Sequence, residues 1–296
     1  MTSTPFESSG AGPLQRPSDP AAWGQGITLA PRLDAVVLAA AGNRGRLREV
    51  SEAPYEALIP IEGRPMVAYV VEALAQARRV SGIVMVGPGP VVEAARKALG
   101  EPAGTRLKAV APGARLIDNL ERGLAEATTE HVLVVTSDIP LMKAHMVDDF
   151  VRRCEQSPEM QDVWYSIVER RMGEHRYPGV KRTWVKLADG SFTGGNVFLV
   201  RRDIVELTRP LLTRAIEARK SPLTLARLLG LRAVVRFMLG RLTVAEAEQR
   251  VGRMLDIRGK AVATPYAEIG IDVDKPSDLE LARRFLGPPA QAGAGA

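Results

Sequence analysis

The chain has 296 residues, of which 46% are hydrophobic and 25% charged, the balance expected of a globular protein. Its formal charge of +6 suits an anionic ligand such as a nucleotide, but the charge is too diffuse to indicate DNA or RNA binding. One cysteine excludes an internal disulfide framework, and no apolar run is long enough to span a membrane. We therefore expect a cytoplasmic protein without stable membrane insertion.

The two ends of the chain differ in composition from its centre. Residues 1–30 and 287–296 are rich in small residues and proline and lack apolar periodicity, which predicts disordered tails. The folded domain is then expected over residues 31–286.

Short apolar runs alternate with helix-spaced apolar residues along the first half. This alternation predicts an α/β fold with a mostly parallel sheet and helices on both faces. The predicted strands cover 34–40, 82–87, 106–110 and 131–137, and the helices between them cover 65–79, 90–99 and 115–127. Further strands are predicted at 163–169, 183–188, 195–201 and around 261–273.

Residues 202–258 form a mostly helical insertion between these later strands. Ser221 followed by Pro222 is typical of a helix start, and Thr243 with Glu246 forms a capping-box pattern. Residues 223–240 are apolar nearly all round. Packing against the domain or against a partner in a homodimer is favoured over a membrane surface.

The first predicted strand ends in a small-residue turn crowded with arginines. Ligands bind at the carboxyl edge of an open parallel sheet, where glycines let the backbone approach a phosphate and arginines donate charge-assisted hydrogen bonds. A tight turn with solvated arginines is the alternative. The candidate nucleotide-binding residues are Ala40, Ala41, Gly42, Asn43, Arg44, Gly45 and Arg46, with Arg48 just beyond them.

Three carboxylates follow predicted strands. Asp138 comes directly after a buried strand, and Asp272 and Asp274 share a face of an extended segment. Hard carboxylate oxygens suit Mg²⁺. The alternatives are helix caps, for Asp138 before a helix near Pro140 and for Asp274 before Pro276.

Two glycines and an asparagine precede a later strand, in the sequence TGGN at 193–196. Gly194 and Gly195 offer close backbone approach, and Asn196 offers an amide, to a ligand rich in hydroxyl groups. A simple hairpin turn is the alternative.

In this order, these features resemble the MobA-like NTP transferases, a group of GT-A-type nucleotidyltransferases. That group includes molybdenum-cofactor guanylyl- and cytidylyltransferases and is related to the sugar-1-phosphate nucleotidyltransferases. The resemblance covers roughly 34–141 and 193–283. The motifs that carry it are LAAAGNRGRL, YEALIP, GRPM, TSDIPL, TGGN and DVDKPSDL.

The resemblance implies a role for each motif. The 40–46 loop would hold the triphosphate, with Arg46 as the loop arginine, while Gly113 and Asn119 would contact the base and ribose. Asp138 and Asp274 would bind Mg²⁺, with Asp272 as the fallback ligand. Arg46, Asp138 and Asp274 would be the catalytic set, and the acceptor would lie near Gly194, Gly195 and Asn196.

The chain departs from the family at one important position. The family's lysine, which neutralises the triphosphate, falls on Glu56, and its preceding proline falls on Tyr55. A carboxylate cannot replace an ammonium beside phosphates. The positive charge is expected to have moved into the arginines at 44–48, with Glu56 either pairing with one of them or facing the metal.

A predicted hairpin at 179–190 could cover such a site. Lys181, Arg182 and Lys186 are its candidates for the acceptor's phosphate, and a solvated hairpin is the alternative.

The resemblance implies a GT-A-like, Rossmann-like three-layer sandwich with a mixed, mostly parallel sheet. Its expected activity is Mg²⁺-dependent transfer from an NTP to a phosphorylated acceptor, either a sugar phosphate or a cofactor phosphate, with release of pyrophosphate. A GT-A glycosyltransferase is a second reading, disfavoured because TSDIP lacks a D-x-D. A regulatory homologue without catalysis is a third, and Glu56 favours it.

Overall fold

The computed structural model describes residues 26–101, 103–180, 182–218 and 231–287. Within these residues, eight strands form one sheet in the order β10-β7-β9-β6-β1-β4-β5, with β8 paired to β9. The remaining two strands form a small hairpin. The strands are β1 (Leu33–Leu38), β2 (Pro60–Ile61), β3 (Arg64–Pro65), β4 (Val80–Val86), β5 (Leu107–Val110), β6 (His131–Thr136), β7 (Val163–Glu169), β8 (Val185–Leu187), β9 (Gly190–Arg201) and β10 (Gly259–Thr264).

The predicted mixed, mostly parallel sheet is confirmed. Strand β1 pairs in parallel with both β4 and β6, and β4 pairs in parallel with β5. Strand β9 runs antiparallel to β6, β7 and β8. The carboxyl ends of β1, β4 and β6 therefore lie at one edge of the sheet.

Helices cover both faces of the sheet. They are α1 (Met66–Gln76), α2 (Gly89–Leu99), α3 (Leu116–Ala125), α4 (Ala144–Glu155), α5 (Arg170–Arg176), α6 (Ile204–Ala218), α7 (Leu231–Met238), α8 (Val244–Leu255) and α9 (Pro276–Leu286). The buried side chains of α1, α2 and α4 join one core cluster, while those of α3 and α6 join another. Alternate residues of β1 supply both, since Ala35 and Val37 point to the first cluster and Val36 to the second. The result is the expected three-layer sandwich.

The helical insertion is tied to the sheet domain at several points. The guanidinium of Arg209 on α6 donates to Asp118 on α3 at 2.8 Å. The predicted capping box at the start of α8 is present, because the Thr243 hydroxyl accepts from the Glu246 amide at 3.2 Å. Two apolar side chains of the insertion are not buried by the domain. Met238, at the end of α7, is 79% exposed, and Leu239, just after it, is 63% exposed.

Some predictions fall on residues outside the described ranges. These are residues 1–25 and 288–296 of the predicted tails, the Ser221–Pro222 helix start and Lys181. Residues 26–30 are described, and Leu29 is buried in the core beneath α1 and α4. No helix among the described residues is both long and apolar enough to cross a bilayer.

Candidate active site

The loop after β1 and the loop after β6 lie side by side. Leu38 at the end of β1 is paired with Thr136 at the end of β6, and Asp138 follows two residues later. The predicted placement of the small-residue turn and Asp138 at one sheet edge is thus confirmed. It follows from the parallel pairing of two buried strands.

Backbone hydrogen bonds to residues 54–56 fix the conformation of the turn after β1. The backbone N–H of Asn43 donates to Pro54 O at 3.0 Å, and the backbone N–H of Glu56 donates to Ala41 O at 3.2 Å. The Asn43 side chain is buried, and its Nδ2 donates to the carbonyls of Ser51 at 2.8 Å and Ala53 at 3.0 Å. The buried Asn43 side chain therefore anchors the turn to residues 51–53.

The arginine loop (residues 42–48) combines one buried anchor with exposed cations. Leu47 is fully buried in a cluster with α9, in the short helical turn at 46–49. Arg44, Arg46 and Arg48 are exposed. Arg48 donates to Glu52 O at 3.0 Å, whereas no described residue forms an ion pair with Arg44 or Arg46. Arg44 and Arg46 are therefore exposed guanidiniums without an ion-pair partner among the described residues.

The acidic cluster consists of Asp138, Asp272 and Asp274. One carboxylate oxygen from each lies within 4.8 Å of those from the other two. The segments are joined by the backbone, because the Val273 amide donates to Asp138 O at 2.9 Å. The sequence predicted the two segments, and the structure brings them together at one point.

Neither helix-cap alternative matches the structure. The helix after β6 begins at Ala144 with Lys143 as its N-cap, too far along the chain for Asp138 to cap it. Helix α9 has Lys275 as its N-cap, and the Asp274 amide donates to the Asp278 carboxylate at 3.3 Å. The side chains of Asp138 and Asp274 thus serve no cap.

Burial and neighbouring charges raise the pKa values of two members of the cluster, Asp138 and Asp274. Burial raises the pKa of Asp138 to about 6, helped by the charge of Asp272 and opposed by a hydrogen bond from Thr136. Burial, a hydrogen bond to Asp272 and the neighbouring charges raise the pKa of Asp274 to about 7. Like charges this close disfavour full ionisation, and a divalent cation would relieve that repulsion.

Glu56 lies between the arginine loop and the acidic cluster. Its Oε1 is 3.7 Å from the position a Cβ on Gly45 would occupy. Burial and the charge of Asp138 raise the pKa of Glu56, and the Glu56 charge in turn raises that of Asp274. No ion pair links Glu56 to any described arginine. Of the two expected arrangements, pairing with a described arginine is not formed, and the charge of Glu56 is close enough to the acidic cluster to interact with Asp138 and Asp274.

Gly113 and Asn119 lie together at the start of α3. The Gly113 amide donates to the Asn119 Oδ1 at 2.6 Å, and Asn119 is buried. A Cβ on Gly113 would come within 2.8 Å of the Asp118 Cβ. Glycine is therefore required for this loop to fold back onto the helix, and Asn119 fixes its shape.

The expectation that TGGN forms a loop or hairpin turn is wrong. Residues 193–196 lie inside the twelve-residue strand β9, which begins at Gly190. A Cβ on Gly194 would come within 1.6 Å of the Tyr165 hydroxyl oxygen, and one on Gly195 within 2.2 Å of the Ser166 Oγ. The glycines let β9 pass close under these side chains. Asn196 Nδ2 donates to Ile269 O at 3.3 Å.

The predicted hairpin at 179–190 is shorter than expected, because only β8 pairs with β9 there. Arg182 is engaged elsewhere. Its guanidinium forms an ion pair with the Asp272 carboxylate and donates to Asp272 O at 2.8 Å. Arg182 thus holds one member of the acidic cluster, and Lys186 is exposed on β8.

Sequence reasoning missed two supporting residues. Thr136 donates from its hydroxyl to Asp138, and Tyr165 covers Gly194. A signal for Thr136 existed, since residues two apart at a strand end point the same way. No local pattern connects Tyr165 with a glycine on another strand.

Comparison with known proteins gives a consistent family. The family model described as the MobA-like NTP transferase domain matches residues 35–185, about half of the chain. A hypothetical transferase from Thermus thermophilus has a similar structure, with a TM-score of 0.71 and 34% identity. The similarity covers 84% of this chain and 99% of that chain.

Two cytidylyltransferase-type proteins are more distantly similar. The 2-C-methyl-D-erythritol 4-phosphate cytidylyltransferase of Frankia casuarinae is 32% identical over 120 residues, which is 40% of this chain and 42% of that protein. The 4-diphosphocytidyl-2C-methyl-D-erythritol synthase of Anaerococcus prevotii is 12% identical, with a TM-score of 0.52, over 87% of this chain and 97% of that chain. The second similarity concerns the fold alone.

Proposed function

The chain belongs to the MobA-like NTP transferase family, and on that premise we propose that it joins an NTP to a phosphorylated acceptor and releases pyrophosphate. An acceptor phosphate oxygen would attack the α-phosphorus, and the bond to the departing pyrophosphate would break. The acceptor would be a sugar phosphate, a polyol phosphate or a cofactor phosphate.

One observation carries this proposal. The arginine loop and the acidic cluster lie at the same sheet edge, with Glu56 between them. Unpaired guanidiniums suit the phosphates of an NTP, and convergent carboxylates suit the cation that accompanies them. A site for a neutral ligand would need neither.

The residues present fit a magnesium ion. Three carboxylate oxygens converge within 4.8 Å, and burial together with the neighbouring negative charges raises the pKa values of Asp138 and Asp274. Asp138 and Asp274 would hold the ion, with Asp272 fixed beside them by Arg182. When bound, Mg²⁺ would supply charge neutralisation at the α-phosphate.

The chain's own side chains would mainly bind and orient the substrates. Arg46 and Arg44 would donate to the triphosphate, and Gly113 with Asn119 would shape the loop that faces the base and ribose. Phosphoryl-type transfers need little covalent work from side chains, so positioning and charge stabilisation would supply most of the catalysis.

Pyrophosphate release from a panel of NTPs and phosphorylated acceptors, with and without Mg²⁺, tests the proposal. CTP with 2-C-methyl-D-erythritol 4-phosphate belongs in that panel because a similar protein carries that activity in its name. Mg²⁺-dependent pyrophosphate release that requires an acceptor would support the function.

Glu56 favours a second candidate, a nucleotide-binding regulator without catalysis, because a carboxylate stands where the family has lysine. The same panel separates the two. Saturable Mg-NTP binding without pyrophosphate release from any pair would favour the regulator. Release of a nucleoside diphosphate from a nucleotide sugar would indicate a glycosyltransferase.

A further inference from the structure

A groove of about 420 Å³ lies between the start of α4, helix α5, the segment after β10 and the end of α9. Small-molecule sites typically have volumes of about 300–1,000 Å³. The groove adjoins the segments that carry the acidic cluster, because Leu141 follows Asp138 by three residues and Glu268 precedes Asp272 by four. Its lining includes none of the three carboxylates of the cluster, so it is a different site.

More than half of the residues that line the groove are apolar or aromatic. Leu141 and Tyr177 are buried there as part of a separate small core cluster. The Tyr177 ring meets Phe285 edge to face, with centroids 4.8 Å apart. The apolar lining consists mainly of Leu141, Met146, Met172, Tyr177, Phe285 and Leu286. Such a lining fits an aromatic or aliphatic body.

The polar groups of the groove are mostly cations or hydrogen-bond donors. Lys143 and Arg176 line it together with His145 and His175. Among the described residues that line the groove, Glu268 is the one carboxylate. It is buried and already accepts from the Tyr177 hydroxyl at 2.8 Å and from Arg176 at 3.2 Å. Lys143 is exposed and forms no ion pair with a described residue. Lys143 therefore gives the groove a positive charge that no described carboxylate neutralises.

We propose that this groove, the α4–α9 groove, binds a small organic anion, a carboxylate, sulfonate or phosphate ester on an apolar or aromatic body. The apolar lining would take the body, and Lys143 and the neighbouring imidazoles would take the anionic group. A neutral ligand would leave Lys143 without a partner. The proposal is independent of the reaction at the acidic cluster.

The experiment uses two fluorescent probes and the full chain. One is 8-anilinonaphthalene-1-sulfonate, and the other is N-phenyl-1-naphthylamine, which has the same ring system without the sulfonate. We expect the sulfonate probe to bind at one site per chain and at least tenfold more tightly than the neutral probe.

Variants locate the site. Lys143→Glu should weaken the sulfonate probe at least tenfold and leave the neutral probe nearly unchanged, whereas Phe285→Ala should weaken both. Lys97→Glu, on the exposed face of α2, is the matched control and should change neither. Circular dichroism confirms that each variant is folded.

Three results would overturn the proposal. The first is an absence of saturable binding of the sulfonate probe to the full chain. The second is sulfonate binding that Lys143→Glu and Phe285→Ala leave unchanged. The third is sulfonate binding that Arg46→Ala weakens as much as Lys143→Glu does, since the probe would then occupy the arginine loop.

Discussion

The arginine loop and the acidic cluster share one edge of the sheet, but their charged side chains differ in solvent exposure. Arg44 and Arg46 project into solvent from a turn anchored by Leu47. Asp138 and Asp272 are partly buried beside the more exposed Asp274, and the pKa values of Asp138 and Asp274 are raised to about 6 and about 7. Exposed charges interact weakly because water screens them, whereas partly buried like charges repel strongly.

This difference in exposure gives the two regions different electrostatic properties. The loop can attract an anion without any rearrangement of its own charges, and salt should weaken that attraction. The acidic cluster holds a repulsion that protons or a divalent cation must relieve. Glu56 lies between the two regions, and its charge adds to the repulsion in the acidic cluster.

The largest effect is expected from the acidic cluster. Asp138→Asn or Asp274→Asn should abolish Mg²⁺-dependent NTP binding, measured by calorimetry. Loss of a residue that merely supports a metal ligand typically costs about 10- to 100-fold in affinity, so loss of a ligand should cost at least as much. Asp203→Asn, at an exposed ion pair with Arg201, is the matched control. Unchanged Mg-NTP affinity in both cluster variants would exclude them as ligands.

Glu56→Lys tests whether the charge of Glu56 contributes to metal binding at the acidic cluster. Replacing a carboxylate beside Asp138 and Asp274 with an ammonium should weaken Mg²⁺ binding by roughly tenfold or more through charge repulsion. Glu56→Gln should show a smaller change in the same direction. Pyrophosphate release decides a further point. Faster pyrophosphate release by Glu56→Lys would show that Glu56 replaced a catalytic lysine with loss of activity. Slower release would show that Glu56 itself contributes to the active site.

Thermal stability should depend on pH and on Mg²⁺. Because folding raises the pKa values of Asp138 and Asp274 above their ordinary 3.8, the folded chain holds protons that the unfolded chain releases. This stabilisation is complete below the unfolded value and is lost as pH rises through about 6 and about 7. The melting temperature should therefore fall between pH 5 and pH 8.

Magnesium and one substitution check the cause of that fall. Adding Mg²⁺ at pH 8 should recover part of the loss, while Asp274→Asn should reduce both the fall and the recovery. Scanning fluorimetry at constant ionic strength measures both. An equal pH dependence in Asp274→Asn and the unchanged chain would assign the effect to other groups.

The smallest effect is expected from the arginine loop. Arg46→Ala should weaken NTP binding by about 1.5–3 kcal/mol, the scale of a hydrogen bond to a charged group. The loss should shrink at high salt, because the guanidinium is exposed. Arg32→Ala, just before the amino end of β1, is the matched control. If both variants bind NTP as tightly as the unchanged chain, the positive charge is supplied elsewhere.

Some of this site followed from the sequence alone. Apolar runs set the first strands, and parallel pairing then obliges the turn after β1 and Asp138 to lie at one edge. Thr243 and Glu246 likewise predicted the start of α8. These features depend on neighbours in the chain, for which local patterns are reliable.

Contacts between distant segments were decided only by the tertiary structure. The sequence favoured a loop up to Gly194 and a strand from Gly195, yet Gly194 lies inside β9, packed against Tyr165. It left open whether Glu56 would pair with an arginine, and the backbone pairing of residues 54–56 with the turn after β1 places Glu56 where its charge interacts with that of Asp138. Side-chain direction at such points is set by which backbones pair across the fold, and a linear pattern does not encode that pairing.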